Sequence, residues 1–416
     1  IGMMYLFLSF LEDSGYMARA AFVMDRLMQA LGLPGKSFVP LIVGFGCNVP
    51  SVMGARTLDA PRERLMTIMM APFMSCGARL AIFAVFAAAF FGQQGALAVF
   101  SLYVLGIVMA ILTGLMLKHT IMRGEASPFV MELPVYHVPH LKSLVIQTWQ
   151  RLKGFVLRAG KVIVIVSIFL SALNSFTLSG QAADNINDSA LASVSRVITP
   201  VFKPIGVHED NWQATVGLFT GAMAKEVVVG TLNTLYTAEN IQEQEFNPAE
   251  FSLGNELLGA AEETWQSLKD TFSLSVLANP IEASKGDGEM ATGAMGVMSE
   301  KFGSASAAYS YLIFVLLYIP CISVMGAISR ESSRGWMGFS ILWGLNIAYS
   351  LATLFYQVTN FSQHPRYSLV CILAVILFNV IVLGLLRRAR SRVDINLLAT
   401  RKTAATCCNS PAGDCH

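Results

Sequence analysis

Residues Val43 to Ala55 read VGFGCNVPSVMGA, a thiol, an amide and a proline set among three glycines inside an apolar segment. Lipid cannot hydrate the backbone groups that Gly44, Gly46 and Pro50 would free, so such a break persists at membrane depth only where it lines a cavity within protein. The stretch predicts an all-α polytopic membrane protein with a broken element at Cys47, one wall of an ion path.

Composition agrees. Of 416 residues, 54% are hydrophobic and 13% charged, against about 25% charged in soluble domains. The net charge of +2 says little, because placement of charge matters more than its sum in a membrane protein. No basic run interleaved with aromatics points to nucleic acid. The opening IGMMYLFLSFL lacks a charged n-region and a small-residue cleavage site, so it does not read as a signal peptide. It reads as the second half of a spanning helix, which suggests the C-terminal part of something longer.

Stretches of about 20 apolar residues can cross the hydrocarbon. Those expected to do so are Leu65 to Phe91, Leu97 to Leu117, Val162 to Leu178, Ala308 to Ile328, Met337 to Tyr356 and Leu369 to Leu386. Phe38 to Met53 and Ala214 to Leu235 are interrupted by glycine or charge and read as half-spans. The expectation is seven to eight spanning helices plus two re-entrant segments.

Lysine and arginine orient the chain. The tail Arg387 to Lys402 carries six basic residues against one acidic, so the C-terminus should be cytoplasmic. Counting back, Arg330 and Arg334 fall inside, while Asn360 and His364 fall outside. Tyr236 to Ala307, with twelve acidic residues, three lysines and no arginine, is outside as well. From the other end, the basic connection Lys118 to Lys161 is inside and Ser179 to Asn211 outside. Both flanks of Ala214 to Leu235 are then outside, so that segment should dip in and return. Arg56, Arg62 and Arg64 place the Cys47 segment on the cytoplasmic side. One broken segment from each face is the pattern of an inverted-topology repeat, echoed weakly where Leu31-Gly32-Leu33 precedes Val43-Gly44 and Ile205-Gly206-Val207 precedes Val216-Gly217.

Two more thiols sit beside helix breakers: Cys76 between Pro72 and Gly77, and Cys321 after Pro320. A lone buried cysteine is usually a small hydrophobe, and Cys371, in an unbroken span, is read that way. Three thiols at three breaks favour a shared site. Ionisable groups within spans mark pathways by default: Lys225 and Glu226 lie mid-segment, Glu12 and Asp13 end the first apolar run, and Arg79 stands one turn from Cys76, close enough to favour its thiolate. The plainer readings are a neutralised Lys225–Glu226 pair and an ordinary helix end at Glu12 and Asp13. His208, Glu209 and Asp210 read as a solvated helix start capped by Asp210 or Asn211. Thiolates with a few carboxylates suit a borderline-soft divalent metal such as iron, zinc, manganese or copper. Gly32 to Ser37, GLPGKS, is no phosphate loop, because the required glycine five positions before Gly35 is Ala30.

The blocks GFGCNVPSVMGAR (44 to 56), APFMSCGARL (71 to 80), GAMAKEVVVGTL (221 to 232) and YIPCISVMGAISRE (318 to 331) resemble the two Gate regions and adjoining span of the bacterial ferrous iron transport protein B family, FeoB. Its gammaproteobacterial members also carry a cysteine-bearing tail. The resemblance implies import of Fe(II) across the inner membrane, with Cys47, Cys76 and Cys321 lining the path and Glu12, Asp13 or Glu226 assisting. It further implies an N-terminal GTP-binding domain with linker helices, absent from this chain, and small accessory proteins A and C acting on that cytoplasmic part. A homo-oligomer is compatible with it. The chain then divides into a first Gate repeat (1–117), a cytoplasmic connection (118–161), a second Gate repeat (162–235), an acidic outer segment (236–307), C-terminal spans (308–388) and a tail (389–416).

In the outer segment, Leu257, Leu258, Ala261, Trp265, Leu268, Phe272 and Val276 fall on one face of an amphipathic helix. The tail cysteines Cys407, Cys408 and Cys415 with His416 could hold a metal or form no site. All seven cysteines fall in spans or on the cytoplasmic side, so no structural disulfide is expected. Two other classes remain. A nucleoside or other solute transporter should place aromatics and amides at the breaks. A membrane thiol oxidoreductase should carry a C-x-x-C pair, and none lies within the spans.

Overall fold

A computed structural model describes residues 2–122, 136, 139–175, 189–223, 225, 227–240, 265 and 292–389, and every regular element among them is helical. Glu226, nearly all of the 236–307 segment up to residue 291, and the tail beyond Ala389 lie outside the described residues. So do the expected amphipathic helix, apart from Trp265, and the tail thiols.

Helices α1 (Gly2–Asp13) and α2 (Tyr16–Leu31) join at Gly15, whose φ of 81° only glycine adopts readily. Gly32, at φ 77°, closes α2, and the next N–H, that of Leu33, returns to Met28 O at 3.0 Å. Then comes the stretch read first. Helix α3 (Phe38–Gly46) stops at Cys47 and α4 (Asn48–Gly54) begins beside it. Gly44 faces the Asn48 side chain, Ser51 Oγ donates to Pro40 O at 2.6 Å, and Gly54 lies against Pro40. These contacts nest about Cys47, so α3 and α4 form a helical hairpin with the thiol at its tip.

The next crossing is interrupted as expected. Pro61 opens α5 (Pro61–Met70), the chain unwinds around Pro72, and α6 (Gly77–Phe90) resumes after Cys76. Helix α7 (Gly95–Thr120) follows without a break. Helix α8 (Leu141–Ser175) has 35 residues, about 52 Å at 1.5 Å per residue. It carries the expected span from Val162 as far as Ser175. The short α9 (Ala190–Ile198) leads to Gly206, at φ 98°, which ends the following turn as Gly32 ends α2.

Beyond it, α10 (Trp212–Met223) and α11 (Val227–Asn240) make a second hairpin. Gly221 meets Val228, Gly217 meets Leu232, and at the base Tyr236 Oη donates to Asn211 Oδ1 at 2.8 Å. Asn211 also caps α10 by accepting the Ala214 N–H at 3.3 Å. The segment expected to dip and return does fold back on itself.

Helix α12 (Thr292–Phe302) precedes α13 (Ala305–Leu317), which Ser304 caps; α13 stops short of Pro320, and α14 (Ile322–Glu331) resumes after Cys321. Two long helices, α15 (Arg334–Thr359) and α16 (Pro365–Ala389), complete the described chain. Five runs are long and apolar enough to cross a membrane: Pro61–Phe90, Gly92–Thr120, Ala305–Glu331, Arg334–Thr359 and Pro365–Arg388. A sixth arises if α2 and Gly35–Gly46, bent by 100°, count as one crossing. The described residues thus supply five or six such runs where seven to eight spanning helices were expected.

The core gathers on α13, where Leu312 to Leu317 are buried throughout. Two hydroxyls tie that helix to its neighbours: Tyr311 Oη donates to Ala214 O of α10 at 3.0 Å, and Ser310 Oγ donates to Ala352 O of α15 at 2.9 Å. Lipid offers no hydrophobic drive between helices, so close backbone approach and interhelical hydrogen bonds hold them. Gly106 of α7 shows the approach, since a Cβ there would stand 2.8 Å from Phe73 O in the unwound segment. We expect Gly106→Ala to cost about 1–3 kcal/mol through overpacking, seen as a lowered thermal midpoint in detergent. Gly160→Ala, with nothing within 4 Å of its Cβ, should leave the midpoint unmoved.

Candidate functional site

Each of the three thiols singled out by sequence stands immediately before a helix, in extended backbone. The angles are φ −155°, ψ 130° at Cys47, φ −83°, ψ 164° at Cys76, and φ −60°, ψ 155° at Cys321. All three are half-buried and carry no disulfide. Cys371 lies inside the continuous α16 and is half-buried.

The breaks adjoin one another. Gly46 O is 3.9 Å from where a Cβ on Gly77 would sit, which brings the first hairpin tip against the start of α6. Asn48 Nδ2 donates to Met74 O at 3.3 Å. Arg79, wholly buried, reaches back across the unwound segment and donates through Nη1 to Pro72 O at 3.0 Å and Met74 O at 2.9 Å. Its guanidinium replaces helical donors lost at the break, where the alternative is a stranded carbonyl in a dry interior.

Tyr318, in the third break, gathers the remaining elements. It lies within electrostatic reach of Arg79 and Cys321. Lys225 Nζ, at the tip of the second hairpin, sits 4.9 Å from its ring centroid, a cation–π contact strengthened by burial. Gly221 gives the Tyr318 hydroxyl its space. Four interruptions, those at Cys47, 71–76, Lys225 and 318–321, therefore converge.

A cavity of about 510 Å³ opens between α1, α4, α8 and α14. Its inner end reaches Val49 and Ile322, just past Cys47 and Cys321, beside Tyr5. Its outer end carries charge: Arg56 grips Glu331 with Nε–Oε2 at 2.6 Å and Nη2–Oε1 at 2.5 Å, and Arg151 holds Glu12 at 2.7 Å. Glu12 thus lines the same cavity as the α4 and α14 walls, but as an arginine's partner at the charged end. Asp13 follows it at the end of α1, half-buried. Among the described residues no three of His, Cys, Asp and Glu come close enough to hold a metal ion. The thiols line adjoining breaks without forming a ready cage.

His208, Glu209 and Asp210 are exposed, and Lys203 pairs with Glu209 at 2.9 Å, holding that carboxyl below its usual range. This is the solvated helix start expected of them. Sequence reasoning missed Asn48, Tyr318 and the Arg56–Glu331 pair. A signal for the last existed: Ser51 to Ala55 and Ser323 to Ala327 are the same pentapeptide, SVMGA, on the two helices that the pair ties together.

Comparison with known proteins bears on this arrangement. Residues 1–90 and 156–334 match a family model named Gate and described as nucleoside recognition, and residues 99–151 match that of the ferrous iron transport protein B C terminus. An Fe(2+) transporter FeoB of Salmonella typhimurium is 91% identical over 416 residues, all of this chain and 54% of the relative. The chain belongs to the ferrous iron transport protein B family. A FeoB relative from Escherichia coli strain K12 is 89% identical over 417 residues, and one from Shigella flexneri is 89% identical as well, each again covered over 54% of its length. The chain thus spans about half the length of the FeoB proteins it matches. No solved structure matches it.

The ion pair at the cavity's charged end is asymmetric, with the Glu331 side chain 6% exposed and that of Arg56 56%. Arg56→Met strands a buried carboxylate and should cost about 1–3 kcal/mol. Adding Glu331→Gln should recover part of that loss, so the double variant falls short of the summed singles in a thermal-unfolding cycle.

Proposed function

We propose that this chain is the permease part of a ferrous iron importer of the bacterial inner membrane, in which Fe(II) passes Cys47, Cys76 and Cys321 in turn. The observation that carries the reading is the convergence of three thiols, each at the start of a helix, on adjoining breaks. Fe(II) is borderline in softness and exchanges water for thiolate readily, whereas magnesium and calcium prefer oxygen. Three thiolates on separately hinged elements suit transport better than a fixed cage, because an ion must leave as well as bind. Glu226, Glu12 and Asp13 would assist at the ends of the path, once Glu12 exchanges its arginine for the metal.

In this reading the two hairpins enter from opposite faces as an inverted repeat, and the 510 Å³ cavity is the cytoplasmic vestibule. What supports it is the arginine at the cavity mouth, the fold-back of both half-spans, and the matching roles of Gly32 and Gly206 ahead of them. The name those relatives carry, Fe(2+) transporter FeoB, favours iron over the other divalent metals and over a nucleoside. The greater length of those relatives leaves room for the GTP-binding domain that would gate or drive transport, and for accessory proteins A and C to act there. The C-terminus would be cytoplasmic.

In a transport-deficient cell, Cys47→Ser and Cys321→Ser should each lower radiolabelled iron uptake at least tenfold at unchanged protein level, and excess adenosine should not compete. Undiminished uptake in both variants would sink the thiol path. For the topology, a single cysteine introduced as Ser362→Cys should react with an impermeant maleimide in whole cells, and Arg334→Cys only after permeabilisation. The reverse pattern would invert the assignment.

A further inference from the structure

We propose that Asn48 and Arg79 are positioning residues of the path, which hold Cys47 against Cys76 by sharing one acceptor, the carbonyl of Met74. This rests on the thiol path proposed above and names what sets its geometry. Asn48 directly follows Cys47 at the first hairpin tip, and Arg79 comes three residues after Cys76 in the first turn of α6. Both donate to Met74 O, at 3.3 Å and 2.9 Å. A carbonyl oxygen has two lone pairs and can take both.

Three further features fit positioning better than simple satisfaction of the backbone. Pro72 O already receives Arg79 Nη1, so the guanidinium would have a partner in the break without reaching Met74. Asn48 is buried, yet its Oδ1 has no hydrogen-bond partner among the described residues, so the amide is placed for its donor. Gly44 is the floor of the contact: a Cβ there would stand 3.0 Å from Met74 Cβ, so the unwound segment would have to draw back from the hairpin by a few tenths of an ångström. The result is a three-point junction in which moving one thiol-bearing element drags the other.

The test uses the full-length transporter in membrane vesicles with only two cysteines retained. Cross-linking of Cys47 to Cys76 by a short bifunctional maleimide is timed against the control pair Cys47 and Cys321. Asn48→Ala and Arg79→Lys should each slow the first pair at least fivefold and leave the control within twofold. The same variants in the native-cysteine protein should weaken the thiolate-to-Co(II) charge-transfer band of the Co(II)-loaded form. Unchanged cross-linking of the first pair overturns the proposal. So does equal slowing of both pairs, which marks general loosening. Should Arg79→Lys fail to fold, Asn48→Ala decides alone. If Cys47→Ser leaves iron uptake intact, the path reading fails while the cross-linking ratio still reports on the junction.

Discussion

A peptide group buried in lipid must find its hydrogen bond inside the protein, and the rest of this structure follows from that requirement. Four helices are interrupted within the bundle, each thiol at its break half-buried, so carbonyl and amide groups freed there need partners inside the protein. Arg79 supplies donors to Pro72 and Met74, and Asn48 adds another to Met74. Ser51 serves Pro40 within the first hairpin. Burying a guanidinium costs several kcal/mol in desolvation, and it is tolerated here because the carbonyls it serves would cost a comparable amount if left bare. The polar interior is thus a consequence of the breaks, and three of those breaks also carry a thiol.

This explains the neighbourhood of Tyr318. A ring at the third interruption accepts Lys225 on its face and has Arg79 and Cys321 within range. Two buried cations beside the proposed ion path look unfavourable in isolation. If the proposed path carries Fe(II), the two cations would offset negative charge from its thiols and carboxylates that would otherwise hold a divalent ion too firmly, a balance that any carrier must strike if it is to release what it binds.

The sequence was most informative where chemistry breaks a rule. Glycine and proline beside a thiol in an apolar run announced the interruptions at Cys47, Cys76 and Cys321, and the charge balance of the connections forced Ala214 to Leu235 to double back. The five long apolar runs were also legible, within a few residues. What was not legible is who meets whom across the chain. Asn48 reaching Met74, or Arg56 reaching Glu331, spans sequence distances that no local period records. Glu12 read as a path carboxylate or an ordinary helix end because the arginine it pairs with lies 139 positions away. The span count came out lower among the described residues: the expected span from Val162 lies in the unbroken α8, which is not among the five runs and is described only as far as Ser175.

Helix α16 stands apart from all of this. It packs chiefly along α15, through Asn379, which accepts from Asn346 at 3.1 Å and donates to Ser350 at 2.8 Å. Its outer side, including Leu373, Leu377, Val380 and Ile381, is bare. A side chain there meets no partner among the described residues, so exchange among aliphatic types on that side changes little beyond hydropathy. For the experimenter the same side is a mast: a reporter group fixed there would ride with the bundle and sense the bilayer without touching the proposed path.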